Sequence, residues 1–437
     1  MKKLLILFSY KYPFSPPVEQ FLHMEMPFHS DENTDIWFVP YARDCSAEKY
    51  DISSIKNTFI RPIKRKSILR EFFSGLFAAL WNARGTFSEL GMILRCREFQ
   101  KTSCISAFFR STIQSLGLYQ EIKKTISLES LNCYSDIVLY SYWINPMSAA
   151  ICHYKRYLEK RVNTNVYAIA RAHGQGDLYL EPNTGTYRPN ATLLSKELDM
   201  VYSISENGAH HLQKQGISNV SISRLGVRIP DIQDIDLPNL SEKKVIVSCS
   251  VINSNKRVID IAKAVALLEM PISWIHFGGG PEEQQVVQWC KENMPAHISW
   301  KINGWTDNQN VIGYYIENSP DAFVNLSYVE GIPVSIMEAM ACGIPCVATD
   351  TGASNEIVQS GRNGYLVPRD FEHDEVTRCI RNCIGDNCAE LKKQARKTAE
   401  TLYSADKNFQ RFSFDIWNLK EGDGENENSV SYKISVV

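Results

Sequence analysis

The stretch "AFVNLSYVEGIPVSIMEAMACGIPCVATD", from Ala322 to Asp350, reads as strand, loop, helix and strand. "AFVNLS" and "IPCVATD" are short apolar runs bounded by turn residues, the pattern of strands buried on both faces of a parallel sheet. Pro333 suits the first turn of a helix, where its missing N–H is not needed, and Gly343 suits the residue just past the end. A helix is therefore expected over Pro333 to Cys342.

The same alternation extends outward. "KVIVSCS" (Lys244 to Ser250), "ISWIHFGG" (Ile272 to Gly279) and "ISWKING" (Ile298 to Gly304) read as further strands, with helical patterns such as "RVIDIAKAVALLEM" between them. Alternating strands and helices define a doubly wound α/β domain, here from Ser241 to about Leu402. In the first half "KLLILFS", "DIWFVPY", "DIVLYSYW" and "NVYAIARAHG" look like strands of a second such sheet, and "MVYSISENGAHHLQKQG" reads as strand and helix ended by Gly216. A chain of 437 residues is too long for one core, and two domains of roughly 200 residues each are expected. The boundaries read from the pattern are a first domain over 1–225, a polar, turn-rich linker over 226–240 and a second domain over 241–403. A helix over 404–421 returns to the first domain, and a disordered tail follows over 422–437.

Composition narrows the class. The chain is 44% hydrophobic and 22% charged, with a net charge of -2 that gives no global pull toward nucleic acid. Its cysteines follow no framework. Cys379, Cys383 and Cys388 cluster, but with no histidine at ligand distance, so buried free thiols in a reducing cytosol are the better reading than zinc. "MKKLLILFSYKYPF" mimics a secretion signal, but its apolar run is only Leu4 to Phe8, which suits a buried strand. No stretch approaches the ~20 apolar residues of a membrane span, so a cytoplasmic protein is expected. From Arg61 to Lys124 twelve Lys/Arg face four Asp/Glu, interleaved with apolar residues. That is either a helical insertion packed on the first sheet or a helix lying on an anionic membrane surface, with Phe72, Phe73, Leu76, Phe77, Leu80 and Trp81 inserted and Lys64, Arg65, Lys66 and Arg70 on the headgroups.

Two carboxylates flank the loop of the opening stretch. Glu330 lies at the carboxyl end of a parallel strand, the edge where ligands bind in open α/β sheets. Glu338 lies inside the helix, among Ala339, Met340, Ala341 and Cys342, poor surroundings for an idle charge. Between them the N–H groups of Val334 and Ser335 open the helix and suit a phosphate. Carboxylates accept hydrogen bonds from vicinal hydroxyls. A diphosphate cradle with a carboxylate on either side fits a nucleotide-sugar. The plainer reading has Glu330 capping the helix and Glu338 on a solvated face.

The Glu-x7-Glu pattern from Glu330 to Glu338 resembles the signature of retaining glycosyltransferases of the GT-B fold, family four. The likeness continues through "HFGGGPEE", "INGW" and "SCSVINSNKRVIDIAKA" and covers Val201 to Tyr403. The first half matches in pieces, "YPFSPPVEQFL" and "RAHGQGDLY". "RAHG" with "SCSVINSNKR" looks most like bacterial enzymes that build capsule, lipopolysaccharide or exopolysaccharide. The resemblance implies two Rossmann-like domains facing a cleft, the first binding the acceptor and the second a nucleotide-sugar. Glu338 would hold the ribose, and Glu330 the donor sugar near its anomeric carbon. Gly331 and Ile332 would offer N–H groups to that sugar, and Val334 and Ser335 theirs to the diphosphate, which Lys256 would neutralise. Gly278, Gly279 and Gly280 match the turn where backbone approaches the nucleotide, and Asn303 and Gly304 fall where the base lies. His173 resembles the histidine that faces the donor sugar across the cleft. Where the family has a further arginine this chain has Val251, and Arg257 is the candidate replacement.

The implied reaction is metal-independent and front-face. It transfers a hexose or N-acetylhexosamine from a nucleoside-diphosphate sugar, most simply UDP-linked, to a lipid-linked oligosaccharide or other glycan. The enzyme would be cytoplasmic, peripheral on the inner face of the membrane through 61–124. A non-catalytic GT-B partner or chaperone is the alternative, kept open by Val251 and opposed by Glu330, Glu338 and Lys256. A phosphorylase-like enzyme would need a longer chain and a lysine for pyridoxal phosphate.

Overall fold

The apolar start of the chain is a strand. β1 (Lys2–Ser9) is fully buried from Leu4 to Phe8, at the middle of a sheet. The computed structural model describes residues 2–14, 19–42, 49–63, 89–91, 93–95, 101–174, 187–232 and 244–419. These fall into two units, which divide between Ser223 and Arg224 and again between Asn408 and Phe409.

In the first unit β1 is joined by β2 (Thr34–Pro40), β3 (Thr58–Ile60), β4 (Tyr134–Ser141), β5 (Asn165–Ala172), β6 (Met200–Ser203) and β7 (Val220–Ile222). All pairs are parallel, in the order β3-β2-β1-β4-β5-β6-β7. The crossings carry α1 (Gln20–His29), α2 (Lys101–Thr125), α3 (Pro146–Leu158), α4 (Ala191–Glu197) and α5 (Glu206–Lys214). Local chemistry starts them: α3 opens on Pro146, with Asn145 accepting from the Met147 N–H at 2.9 Å and the Ser148 hydroxyl accepting from the Asn145 N–H at 3.3 Å.

The second unit has β8 (Lys244–Cys249), β9 (Ile272–Phe277), β10 (Ile298–Ile302), β11 (Ala322–Asn325), β12 (Cys346–Thr349) and β13 (Gly364–Val367), parallel in the order β10-β9-β8-β11-β12-β13. Its helices are α6 (Val258–Ala266), α7 (Glu283–Asn293), α8 (Asn308–Asn318), α9 (Val334–Ala341), α10 (Ser354–Ile357), α11 (His373–Ile384) and α12 (Cys388–Leu402). A last helix, α13 (Ala405–Trp417), starts in this unit and passes into the first, where Phe412 and Ile416 join the core against Leu5, Met26 and Tyr140. Both sheets are Rossmann-like. Each order reverses once, at β1/β4 and at β8/β11.

Two expectations shift. α9 begins at Val334, with Pro333 as its cap in extended conformation, so the helix is one residue shorter at each end. The expected linker belongs, over residues 226–232, to the second unit: Val227 pairs with Ser404, and Arg396 Nη2 donates to the Pro230 carbonyl at 2.7 Å. The basic stretch ends in α2, whose Leu118 and Ile122 are buried in the first unit's core with Ile151 of α3. The residues read as membrane-facing, from Lys64 to Trp81, lie outside the described residues. No helix among the described residues is long and apolar enough to cross a membrane. Cys383 is buried and free, and Cys379 and Cys388 are free and half-buried.

The first unit contains a buried ion pair. Arg171 of β5 and Glu25 of α1 are both inaccessible, and Arg171 Nη1 donates to Glu25 Oε2. Arg171 Nη2 also donates to the Ser223 hydroxyl at 2.7 Å, and the Phe412 ring lies 4.2 Å from the guanidinium. Ser223 and Phe412 stand beside the two places where the chain crosses between units. The pair thus fixes where both crossing segments are rooted in the first unit. Removing one partner strands a charge in an apolar interior, so Glu25→Ala is expected to cost about 3–5 kcal/mol. Glu25→Leu with Arg171→Met should cost far less. Hydrogen exchange of the β1 and β5 amides under denaturant checks this. A double variant as unstable as the single one would mean the Ser223 bond matters more than the ion pair.

Candidate active site

The strand reversal at β8/β11 makes the site. Loops from those neighbouring strands leave the same edge and turn apart, which opens a crevice there. After β8 comes "SVINSNKR". Asn253 holds its turn, its side-chain oxygen accepting from the Lys256 N–H at 3.0 Å. Asn255 reaches the loop after β11 with both ends of its amide. Its Oδ1 accepts from the Val329 N–H at 3.0 Å, and its Nδ2 donates to the Val329 carbonyl at 3.2 Å. The Asn255 carbonyl accepts from the Tyr328 N–H at 2.7 Å. This staple aligns the residues on either side: Lys256 Nζ donates to Glu330 Oε1, with the two side chains only 25% and 12% exposed.

Gly352 supports the same loop from below. It has φ +60, and a Cβ there would stand 1.8 Å from the Glu330 carbonyl oxygen. Its neighbour Ala353 donates from its N–H to the Gly331 carbonyl at 2.9 Å. Ile332 is buried beneath the turn. α9 follows without a side-chain cap. Its first internal bonds run from Ile336 and Met337 back to the Pro333 carbonyl, at 3.1 and 3.3 Å. The N–H groups of Val334 and Ser335 therefore precede the helical ladder, at the positive end of the helix. One turn in, the half-buried Glu338 accepts from Asn308 Nδ2 of α8 at 2.8 Å. Burial raises its pKa, against the pull of that amide.

The glycine turn after β9 meets the loop after β8. Ser250 and Ile252 donate to the carbonyls of Phe277 and Gly279, at 3.0 and 2.9 Å. Gly278, with φ +128, could not carry a Cβ, which would lie 1.9 Å from the Ser250 oxygen. The glycine thus admits a neighbouring loop. Asn303 and Gly304 are hydrogen-bonded to the same turn, Asn303 N to the His276 carbonyl at 2.9 Å and Gly278 N to the Gly304 carbonyl at 2.8 Å. Trp305, 75% exposed, stands next to Gly279. Beneath, the buried His276 takes the Ser248 hydroxyl on Nδ1 at 2.9 Å and the Ser250 carbonyl on Nε2 at 3.1 Å. A carbonyl only accepts, so Nε2 carries the proton. Burial lowers the ring's pKa to about 4, and it is neutral at pH 7.

Arg257 is placed differently from Lys256. It caps α6 in the left-handed conformation, with φ 48. Its guanidinium donates to the carbonyls of Leu326 at 2.6 Å and Arg369 at 2.8 Å, and lies 4.5 Å from the Phe371 ring. It ties down the end of β11, and Lys256 is the cation brought to Glu330. His173 belongs to the first unit, after β5. Its Nε2 donates to the Tyr142 carbonyl at 2.9 Å, and its ring lies 4.2 Å from Tyr142 and 4.7 Å from Trp143. Burial and the nearby Arg171 charge lower its pKa to about 3.

Asn255, Asn308, His276 and Gly352 escape a reading of the sequence alone. Asn255 sits in an asparagine-rich turn where each asparagine looks alike, and only the fold shows which one bridges to β11.

Two parallel-sheet Rossmann-like units define a GT-B fold, and solved structures of that class superpose on the chain. The apo lipopolysaccharide outer core galactosyltransferase WaaB matches with a TM-score of 0.62 at 17% identity, over 96% of this chain and 99% of its own. Anabaena HepE in complex with UDP-glucose matches with a TM-score of 0.61 at 14% identity, over 95% of this chain and 100% of its own. Residues 231–401 match the family "Glycosyl transferases group 1". Among relatives, the putative glycosyltransferase EpsD of Bacillus subtilis (strain 168) is 26% identical over 306 residues, 65% of this chain and 76% of EpsD. The putative colanic acid biosynthesis glycosyltransferase WcaL of Escherichia coli (strain K12) is 26% identical over 232 residues, 49% of this chain and 55% of WcaL. The N-acetyl-alpha-D-glucosaminyl L-malate synthase of Bacillus anthracis is 31% identical over 126 residues, 28% of this chain and 32% of the synthase. The matched stretch is thus under two thirds of the length of WcaL and of the synthase.

Gly352→Ala is expected to push the Glu330 loop out of line, because the Glu330–Gly331 backbone stands where the methyl group would go. Hydrogen exchange of the Tyr328 and Val329 amides, which the Asn255 staple protects, should speed up about tenfold or more in the variant. Unchanged exchange in a folded variant would mean the loop tolerates the shift.

Proposed function

We propose that this chain is a retaining glycosyltransferase of polysaccharide biosynthesis. It transfers a hexose or N-acetylhexosamine from a nucleoside-diphosphate sugar, most simply UDP-linked, to a growing lipid-linked surface glycan. One observation carries the reading: the β8/β11 crevice joins Lys256 to Glu330 beside the uncapped start of α9, with Glu338 one turn further in. The likeness to EpsD, a putative glycosyltransferase, and to WcaL, a putative colanic acid biosynthesis glycosyltransferase, and the UDP-glucose held by HepE support the class of donor and pathway.

On this reading the N–H groups of Val334 and Ser335 and the Lys256 ammonium hold the diphosphate, and Glu338 takes the ribose hydroxyls. Glu330 exchanges Lys256 for hydroxyls of the sugar, with Gly331 and Ile332 beside it, and Gly279, Asn303 and Gly304 line the base. The acceptor hydroxyl attacks the anomeric carbon from the face that the diphosphate leaves. The bond to the diphosphate breaks, and the hydroxyl proton passes to the departing oxygen. The protein contributes position and fixed charge. Lys256 and the helix start stabilise the leaving charge, so the reaction needs no divalent cation. His173, neutral at pH 7, is the first unit's part in the reaction.

Incubation with UDP-glucose, UDP-galactose and UDP-N-acetylglucosamine and a lipid-linked acceptor, with mass spectrometry and NMR of the product, tests the reading. A transferred sugar with inverted anomeric configuration would overturn the mechanism, and so would complete loss of activity in EDTA. Intact binding with no transfer to any acceptor would favour a non-catalytic partner, the reading that Val251 keeps open.

The two glutamates should separate. Glu338→Ala is expected to weaken UDP binding by about 1.5–3 kcal/mol, the worth of a charge-assisted hydrogen bond. Glu330→Ala should instead cut turnover while UDP affinity changes little, because its partner is the sugar. Equal effects on both quantities would refute that split.

The acceptor reading also implies contact with an anionic membrane through the basic segment 61–124. Co-sedimentation with anionic vesicles at low salt, lost at high salt and with zwitterionic lipid, is expected from screened charge attraction. A chain that stays in solution with anionic vesicles would refute it.

A further inference from the structure

The first sheet reverses at β1/β4 as the second does at β8/β11, and its crevice is closed by one carboxylate. Glu19, only 8% exposed, stands at the start of α1 with φ 59, a left-handed conformation that costs a non-glycine residue energy. Its side chain makes no cap on its own helix. It reaches back to the loop after β1, and the carboxylate gathers four donors. Oε1 accepts from the Tyr10 N–H at 2.8 Å and from the Trp143 indole N–H at 2.6 Å. Oε2 accepts from the N–H groups of Lys11 and Tyr12, both at 2.8 Å. Trp143 belongs to the loop after β4, so one side chain ties both loops of the crevice. The Trp143 ring then packs against His173, which the Tyr142 carbonyl holds on its other side.

We propose that Glu19 is a positioning residue for His173: it fixes the Trp143 ring, and the Trp143 ring fixes the histidine. Four donors ask for an acceptor with no hydrogens of its own, and only the carboxylate supplies it. Glutamine offers one oxygen and one NH2 group, so two donors would face another donor and lose their bonds. The strained backbone at Glu19 persists because those bonds over-determine it. That this matters for transfer rests on the function proposed above, and the positioning itself does not.

Nuclear magnetic resonance of the full chain tests it. Trp143→Phe identifies the Trp143 indole signal, and His173→Asn the His173 ring signals. In the wild type the His173 ring should stay neutral from pH 8 to pH 5, being desolvated and close to Arg171. In Glu19→Gln the Trp143 N–H signal should move upfield, and His173 should begin to titrate between pH 5 and pH 7 as water reaches the loosened ring. UDP affinity should stay within about twofold, while transfer from UDP-glucose or UDP-N-acetylglucosamine should fall about tenfold to a hundredfold, the usual effect of a misplaced group. If both signals keep their wild-type behaviour, the proposal is overturned. Moved signals with unchanged transfer support the positioning and remove His173 from the reaction. Should Glu19→Gln not fold, Trp143→Phe alone must alter the His173 titration, and an unaltered titration there also overturns the proposal.

Discussion

In a parallel sheet every strand ends on the same edge, and where the strand order reverses, the loops of two neighbouring strands turn away from each other. One backbone bond crosses each divergence, from the Tyr328 N–H to the Asn255 carbonyl and from the Tyr142 N–H to the Phe8 carbonyl, and side chains supply the rest of the bridge. In the second unit the bridge is the Asn255 amide, which holds the loop after β11, together with the Lys256–Glu330 contact beside it. In the first unit it is the Glu19 carboxylate, which holds Tyr10 to Tyr12 and the Trp143 indole. Everything later in each site is placed relative to these bridges: α9 starts four residues beyond Glu330, and the His173 ring rests on Trp143.

The sequence makes the second unit more legible than the first, for a physical reason. Its strand-to-helix junction is written in residues with narrow backbone preferences: Pro333 at the cap, Gly343 in the left-handed region at φ 76, and buried strands of four to six residues on each side. Glu330 and Glu338 stand out because they interrupt apolar surroundings. The strands that went unread, β3, β7 and β13, are the sheet-edge strands with three or four residues each, too short to show a period. Arg257 misled because adjacency in sequence says nothing of direction. Lys256 and Arg257 lie on opposite sides of a left-handed turn, one toward Glu330 and the other toward the end of β11. The glycine turn was read at the right place, yet contact with Ser250 alone is enough to require Gly278.

The two edges differ in electrostatic character, and the difference supports the proposed roles. Around β8/β11 the groups are a helix amino end, an ammonium and two carboxylates, an arrangement suited to a charged ligand that also carries hydroxyls. Around β1/β4 the groups are aromatic rings and a histidine whose proton is suppressed by burial and by Arg171. Glu19 contributes a charge there, but its four hydrogen bonds turn it inward to the Tyr10–Tyr12 backbone and the Trp143 indole. A ring-lined edge with no cation among these groups suits an uncharged sugar face more than a phosphate.

The same Arg171 that depresses His173 is rooted in the Glu25 pair, and this links the first unit's interior to its edge. An unpaired arginine cannot be kept inside a protein, so Glu25 is required for Arg171 to be there at all. Arg171 lies two residues before His173 on β5, with side chains alternating across the sheet. Its guanidinium is fixed by the strand and the Glu25 pair, close to the histidine that follows the strand end. The histidine is held neutral by that charge and held in place by Trp143. Trp143 thus sets the ring's orientation and, by keeping water from it, shares with Arg171 the suppression of its proton.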